Sequence, residues 1–255
     1  MSHHTKDKGD LAVAKTIAHL LQHNIRVCLP LSEHLPFDLI AVMPDMRTLS
    51  RVQVKYRKNE GLGTIRLNFS SNYYDSKRIY SRPVNLDHID CYAAYCPDTD
   101  EIYYVRVDEI GTDKTKISLR VAPVKNGQKK GIWMAENFVD PNRIVTDYGN
   151  QSAPTHSHYA NHEFELAIAY VTADLMVKGW QVCVPNSAYI PFDLIAIAPD
   201  MKTLSRICVG DETSQLNSYA DQYAIYEPKT KAIHYLDANE LNVQDRELKN
   251  QRTIV

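Results

Sequence analysis

The sequence has no long hydrophobic run. Its longest apolar stretches, such as Leu39 to Met43, fall far short of the ~20 residues that a membrane-spanning helix needs. The opening residues, MSHHTKDKGD, lack the apolar core of a secretion signal, so the expectation is a cytoplasmic protein without a membrane partner. Cysteine is sparse as well. The five present (Cys28, Cys91, Cys96, Cys183, Cys208) are odd in number and show no CxxC spacing, which argues against a disulfide framework or a zinc ribbon and for reduced, part-buried thiols. A net charge of one sign is also missing, at −2 over 255 residues. What is present is an ordinary balance of 44% hydrophobic and 24% charged residues, enough for a buried core in one or two domains.

The charge is unevenly spread. Between Lys55 and Arg82, seven basic residues (Lys55, Arg57, Lys58, Arg66, Lys77, Arg78, Arg82) stand against Glu60 and Asp75, about +5 in 28 residues. An anionic partner requires such a local cationic stretch, although a solvated surface also accommodates one.

The chain also contains itself twice. At a shift of 155, Val27 to Lys55 lies on Val182 to Gly210 with 18 of 29 positions identical. Further on, Asp90 to Val105 lies on Asp221 to Leu236 at a shift of 131, so the second copy is shorter by 24 residues. The deletion falls on the basic, tyrosine-rich stretch. The expected organisation is a first domain over 1–121, an irregular connection over 122–154 rich in Pro, Gly, Asn and Lys, and a degenerate repeat over 155–255.

Each copy opens with a helix pattern: Leu11, Ala14, Ile17, Ala18 and Leu21 in the first, Phe164, Ile168, Val171 and Leu175 in the second. Asn24 and Gly179 are placed to end these helices in the left-handed conformation. Strands are expected over Arg26 to Leu29, through PFDLIAV, over Leu49 to Tyr56 and near Ile102 to Val107. Pro44-Asp45 and Pro199-Asp200 mark the turns. A helix, a three-stranded meander and mixed elements make an α/β architecture on a mixed sheet.

The chemistry-bearing feature of the first copy is Pro36-Phe37-Asp38, followed 15 residues after the aspartate by Gln53-Val54-Lys55. Strand alternation turns Gln53 and Lys55 to one side and Val54 into the core. Pairing through the Pro44-Asp45 turn brings Asp38 beside them. A carboxylate, an amide oxygen and an ammonium on one sheet edge suit Mg²⁺, with Mn²⁺ as the alternative, and the activation of water against a phosphate. For Gln53 and Lys55 the competing reading is the exposed face of an edge strand; for Asp38 it is a strand-end residue, since Asp193 repeats it.

These strings resemble the PD-(D/E)XK nuclease superfamily in its Gln-x-Lys variant, close to small cyanobacterial-type endonuclease-like proteins related to group I intron homing endonucleases. The matching segments are KGDLAVAK (Lys8 to Lys15), PLSEHLPFDLIAV (Pro30 to Val42) and QVKYRKN (Gln53 to Asn59). The resemblance implies a restriction-endonuclease-like αβββαβ core, present twice, and a DNA substrate. It implies catalytic work for Asp38, Gln53 and Lys55, with Asp10 and Glu33 in support, and a metal set of Asp38, Gln53, Val54 and Asp10. Gln53 stands where the family usually has an acid. Val13 stands where it tends to have a helix glutamate, and Asp10, one turn earlier, is the candidate substitute. Glu33 either caps a loop or sits outside the metal ligands.

In the second copy Asp193 remains, but Gln53 becomes Cys208, Lys55 becomes Gly210 and Glu33 becomes Ala188. That copy reads as catalytically dead, kept for packing and standing in for a second subunit, with further self-association of the chain left open. In the basic segment Tyr56, Arg57, Lys58, Arg66, Tyr73, Lys77, Arg78, Tyr80 and Arg82 are the candidate DNA contacts. His156, His158 and His162 have a metal-like spacing, but with no acid or cysteine partner a solvated linker is the better reading. The expected activity is Mg²⁺-dependent DNA cleavage through the first copy. The alternatives are a catalytically impaired DNA-binding or assembly protein on the same fold, and a junction-resolving nuclease.

Overall fold

In the computed structural model the described residues are 4–32, 34–60, 63–75, 78–83, 85–111, 114–122, 133–146, 162–187, 189–210 and 218–238. They fall into two compact units, Met1–Val27 with His34–Asn150, and Cys28–Glu33 with Gln151–Val255. Among them no helix is long and apolar enough to cross a membrane. All five cysteines are buried and free, because hydrocarbon surroundings suit an uncharged thiol.

In the first unit, helix α1 (His4–Gln22) buries Ala12, Thr16 and Leu20, a stripe at four-residue spacing. This corrects the expected stripe: Leu11 is 45% exposed, and Ala14 and Ala18 also face solvent. The misreading arises because α1 carries apolar residues on two faces, and the buried one includes a threonine. Thr16 tolerates burial because its hydroxyl donates to the Ala12 carbonyl at 2.8 Å. Asn24, at φ 60°, reverses the chain as expected, and the Ile25 N–H then returns to the Leu20 carbonyl at 3.0 Å.

The chain continues through β1 (Arg26–Pro30), β2 (Leu39–Val42) and β3 (Leu49–Tyr56). β2 and β3 pair antiparallel, with Leu39 opposite Val52. Their turn is fixed by Asp45, whose carboxylate accepts the N–H groups of Arg47 and Thr48 at 3.0 and 2.9 Å and the Thr48 hydroxyl at 2.6 Å. Next come β4 (Thr64–Asn68), β5 (Ser70–Asp75), β6 (Arg78–Pro83), a 3₁₀ turn over Leu86–His88, β7 (Cys91–Cys96) and β8 (Glu101–Arg106). β3 pairs parallel with β7, and β7 antiparallel with β8. The sheet is mixed, as expected. A parallel pair requires a crossover, and among the described residues it is made by β4 to β6 and the 3₁₀ turn, with no α-helix between β3 and β7.

The start of the parallel pair is pinned by Arg51 and Asp90. The Asp90 carboxylate takes the Arg51 N–H and Nε at 2.7 and 2.9 Å on one oxygen and Nη2 at 2.7 Å on the other, while the Asp90 N–H donates to the Arg51 carbonyl.

After β8 follow α2 (Val107–Ile110), β9 (Lys116–Arg120) and β10 (Trp133–Met134), then 3₁₀ turns over Ala135–Phe138 and Pro141–Ile144. Residues 133–146 lie in the stretch expected to be irregular connection. They instead pack on the first unit: Ala135 and Phe138 join a core with Ile65, Leu67, Tyr92, Val105, Ile117 and Leu119. The Ser50 hydroxyl also donates to the Ile144 carbonyl at 2.8 Å. Strand β9 pairs antiparallel with β4 and parallel with β10, forming a small second sheet.

The second unit repeats the core: α3 (His162–Val177), β11 (Gln181–Pro185), β12 (Leu194–Ile197), β13 (Leu204–Gly210), β14 (Gln222–Glu227) and β15 (Ala232–Asp237). β11, β12 and β13 form an antiparallel meander, β14 lies parallel to β13, and β15 closes antiparallel. Cys28–Pro30 pairs antiparallel with β11, Leu29 opposite Val184. Gly179 at φ 84° ends α3, and Arg206 grips Asp221 with the same atoms as Arg51 grips Asp90, at 2.8, 2.9 and 2.6 Å.

Candidate active site

Asp38 lies immediately before β2, where its N–H donates to the Val52 carbonyl at 2.9 Å. That bond fixes the aspartate against β3. Its Oδ2 accepts the Val54 N–H at 2.6 Å and the Gln53 side-chain amide. Among the described residues Oδ1 carries no hydrogen bond. The same amide nitrogen also stands 3.4 Å from the Val54 carbonyl. As expected, Val54 is buried while Gln53 and Lys55 are half-buried on the other side of β3. The structure thus brings Asp38, Gln53, the Val54 backbone and Lys55 together where β3 runs past the start of β2.

The electrostatics match that placement. Burial pushes the Asp38 carboxyl above the ordinary carboxylate range, against the opposing pull of the Val54 N–H, the Lys55 charge and the Gln53 amide. Burial likewise pulls the Lys55 ammonium below the ordinary lysine value, opposed by Asp38 and reinforced by Arg57. Among the described residues Lys55 makes no ion pair or hydrogen bond. A half-buried cation held this way costs folding free energy, and such groups cluster where chemistry is done.

The other sequence candidates are not all drawn in. Asp10 is exposed on α1 and forms no hydrogen bond or ion pair with Asp38, Gln53 or Lys55. Glu33 and Lys77 lie outside the described residues, as do Ala188, His156 and His158. Tyr73, Arg78, Tyr80 and Arg82 have a described backbone, in which β5 and β6 pair with Tyr73 opposite Tyr80, but not described side chains. Tyr56 is half-buried, its ring edge-on to Tyr95 with centroids 6.0 Å apart and the Lys8 ammonium 6.0 Å from its centre. Arg57 is half-buried with Nη1 on the Tyr56 carbonyl at 3.1 Å and Nε, among the described residues, without a partner. Lys58 is exposed, and Arg66 pairs with Glu60 at 3.2 Å.

Among the described residues no group of three or more His, Cys, Asp or Glu side chains is placed to hold a metal ion. The donors that are present are oxygens of the right kind for a hard divalent cation: Asp38 Oδ1, the Val54 carbonyl and, after rotation of its amide, Gln53 Oε1. With one carboxylate, a bound ion would keep several waters, as Mg²⁺ does.

In the second copy the aspartate is held the same way, but the amide and the ammonium beside it are replaced. The Asp193 N–H donates to the Ile207 carbonyl at 2.9 Å, and its carboxylate accepts the Val209 N–H at 2.7 Å. Cys208 occupies the glutamine position with its thiol toward the Pro191 carbonyl at 3.5 Å, and Gly210 offers no cation.

What sequence reasoning missed is the Arg51–Asp90 clamp, which seats β3 on β7 and so presents the Gln53–Lys55 edge. Its signal was available, since Arg51 and Asp90 recur as Arg206 and Asp221 in the repeat.

A family model described as PD-(D/E)XK endonuclease matches residues 3–141. Among solved structures, a bacterial homing endonuclease, I-Ssp6803I, aligns with 24% identity and a TM-score of 0.44, over 52% of this chain and 87% of that one. No curated protein matches the sequence.

Proposed function

Given that the chain belongs to the PD-(D/E)XK endonuclease family, we propose that it cleaves DNA with a divalent metal ion, Mg²⁺ or Mn²⁺, through its N-terminal copy alone. The observation that carries this reading is the convergence of Asp38, Gln53 and Lys55 at β3, with Lys55 half-buried and, among the described residues, without an ion pair.

A bound divalent ion would supply an acidified water and a polarised phosphate oxygen. Asp38 Oδ1, the Gln53 amide oxygen and the Val54 carbonyl would hold it. Asp38 Oδ2 stays on the Val54 N–H and keeps the carboxylate aimed along the strand. Lys55 orients the attacking water and offsets the charge that develops on the phosphate oxygens. Its partial burial strengthens that interaction relative to water. The cations of residues 55–82 neutralise neighbouring phosphates and make binding salt-dependent. The second copy, with Cys208 and Gly210 at the corresponding positions, serves as scaffold.

One observation favours a second reading. Val13 and the exposed Asp10 leave Asp38 as the sole carboxylate at the site among the described residues. A protein with weakened metal affinity would bind DNA without cutting it efficiently. Incubation with supercoiled, linear and branched DNA in Mg²⁺, Mn²⁺ or EDTA, beside Lys55→Ala, separates the readings. Metal-dependent cleavage lost in Lys55→Ala supports the endonuclease, and a preference for branched DNA narrows it to a junction-resolving enzyme. Salt-sensitive binding without cleavage supports the binding protein. Cleavage unaffected by Lys55→Ala removes the assigned site.

A further inference from the structure

The outer face of the small sheet made by β4 and β9 carries the cationic surface beyond the 55–82 stretch that the sequence singled out: β4 brings Arg66 from that stretch, and β9 adds Lys116 and Arg120 from outside it. Along β4, Ile65 and Leu67 are buried while Arg66 and Asn68 face solvent; along β9, Ile117 and Leu119 are buried while Lys116 and Ser118 face solvent. The register sets Thr64 opposite Arg120, Arg66 opposite Ser118 and Asn68 opposite Lys116. Each cation therefore faces a neutral polar residue, and no two cations stand directly opposite, an arrangement that avoids cross-strand repulsion. Neither strand carries an acid. Glu60, from the preceding turn, reaches Arg66 at 3.2 Å, but both side chains are about half exposed (46% and 50%), and such a pair contributes little. Among the described residues Arg120 has its Nε buried without a partner.

The start of this face is tethered to the chain just beyond the candidate site. The Glu60 N–H donates to the Thr64 carbonyl at 2.8 Å, and Asn59 accepts the Thr64 N–H at 2.9 Å. These bonds tie the start of β4 to the residues that follow Lys55. Lys116 and Arg120 stand four residues apart on one strand, about 13 Å, which matches about four base-pair steps of duplex rise.

We propose that the outer face of β4 and β9, through Arg66, Lys116 and Arg120, holds the DNA phosphate backbone beside the cleavage site. The proposal rests on the DNA-endonuclease reading and names the surface that positions the duplex. Separate cations among small polar residues, with no aromatic side chain on the outer faces of these two strands, position a backbone and do not read bases.

The test uses the full chain and the double variant Lys116→Gln/Arg120→Gln, with Lys116→Arg as the charge-retaining control. Binding to two unrelated duplexes is followed by fluorescence anisotropy from about 50 to 200 mM salt. Loss of two phosphate contacts should make the slope of log affinity against log salt shallower by about 1.8. Both duplexes should weaken alike, with the melting temperature and the control unchanged. A variant that keeps the wild-type slope, or weakens on one sequence only, overturns the proposal while leaving the endonuclease reading intact. A wild-type chain that binds no duplex overturns both.

Discussion

The two copies keep different things. Both retain an aspartate ahead of the second meander strand, and in both its carboxylate accepts the N–H of the facing strand, Asp38 from Val54 and Asp193 from Val209. Both retain the bidentate clamp, Arg51 on Asp90 and Arg206 on Asp221, and the aspartate turn at Asp45 and Asp200. Only the first retains the amide and the ammonium; the second has Cys208 and Gly210. The comparison separates parts that hold the fold from parts that only the proposed chemistry requires. In that proposal Asp38 does both, with one oxygen bonded to the strand and the other without a hydrogen bond among the described residues.

Removing the ammonium should have the largest effect. Lys55→Met should reduce cleavage at least about a hundredfold, the scale of losing one group that stabilises the transition state. It should raise thermal stability at the same time, because a half-buried cation disappears. Gel-based cleavage and calorimetry on the same sample check both halves of that expectation. Reduced stability together with retained activity would reassign Lys55 to the scaffold.

Cutting the clamp should affect the two copies alike. Asp90→Ala and Asp221→Ala each leave an arginine side chain only 10% or 16% exposed without its carboxylate. Each should cost about 3 kcal/mol of stability, read from denaturant unfolding. A large loss in one copy and none in the other would break the equivalence.

The titration of the site sharpens the contrast. With Asp38 held above and Lys55 below their ordinary values, the pH window of cleavage should be narrowed from both sides. The linkage signs follow. The folded state binds the Asp38 proton more tightly than the unfolded chain, so this contribution to stability falls as pH rises past the ordinary carboxylate value. It binds the Lys55 proton more weakly, so the cost of that charge is full below the folded lysine pKa and is relieved as pH rises from there to the ordinary value. The stability gap between Lys55→Met and wild type should therefore be widest at neutral pH and close in alkali, as pH-dependent melting would show.

The helix ends should show the smallest effect. Gly179→Ala places a Cβ no closer than 3.8 Å to Pro199, so its cost, about 1 kcal/mol, is that of the left-handed backbone alone. Asn24→Gly, at the equivalent bend, should change stability by no more than about 0.5 kcal/mol. Thermal melts of the two variants test the pair.

Much of this organisation was legible because the chain is written twice. Agreement between copies located β1 to β3 and their counterparts β11 to β13, the turns at Asp45 and Asp200 and the bends at Asn24 and Gly179, but not β4 to β6, β9 or β10. The alternation of Gln53, Val54 and Lys55 along β3 was legible from the period of a strand. Legibility failed where residues lack a period. Trp133, Phe138 and Ile144 stand at irregular spacing, so the packing of the first two in the core and the burial of Ile144 under Ser50 are decided by tertiary contact and not by a local pattern. In α1 the buried face runs through Thr16, whose polarity hides it from a hydrophobic count. The reach of Asp10 was not legible either, because helical spacing fixes which face a residue occupies and not its distance from a strand.

The most direct test places the two aspartates side by side. Asp38→Asn and Asp193→Asn preserve the size of the side chain and an oxygen for the strand N–H, and cleavage by each is compared with wild type at one metal concentration. The account predicts loss of cleavage in Asp38→Asn and wild-type cleavage in Asp193→Asn, both with native melting behaviour. Cleavage that survives Asp38→Asn, or that disappears in a folded Asp193→Asn protein, would contradict it.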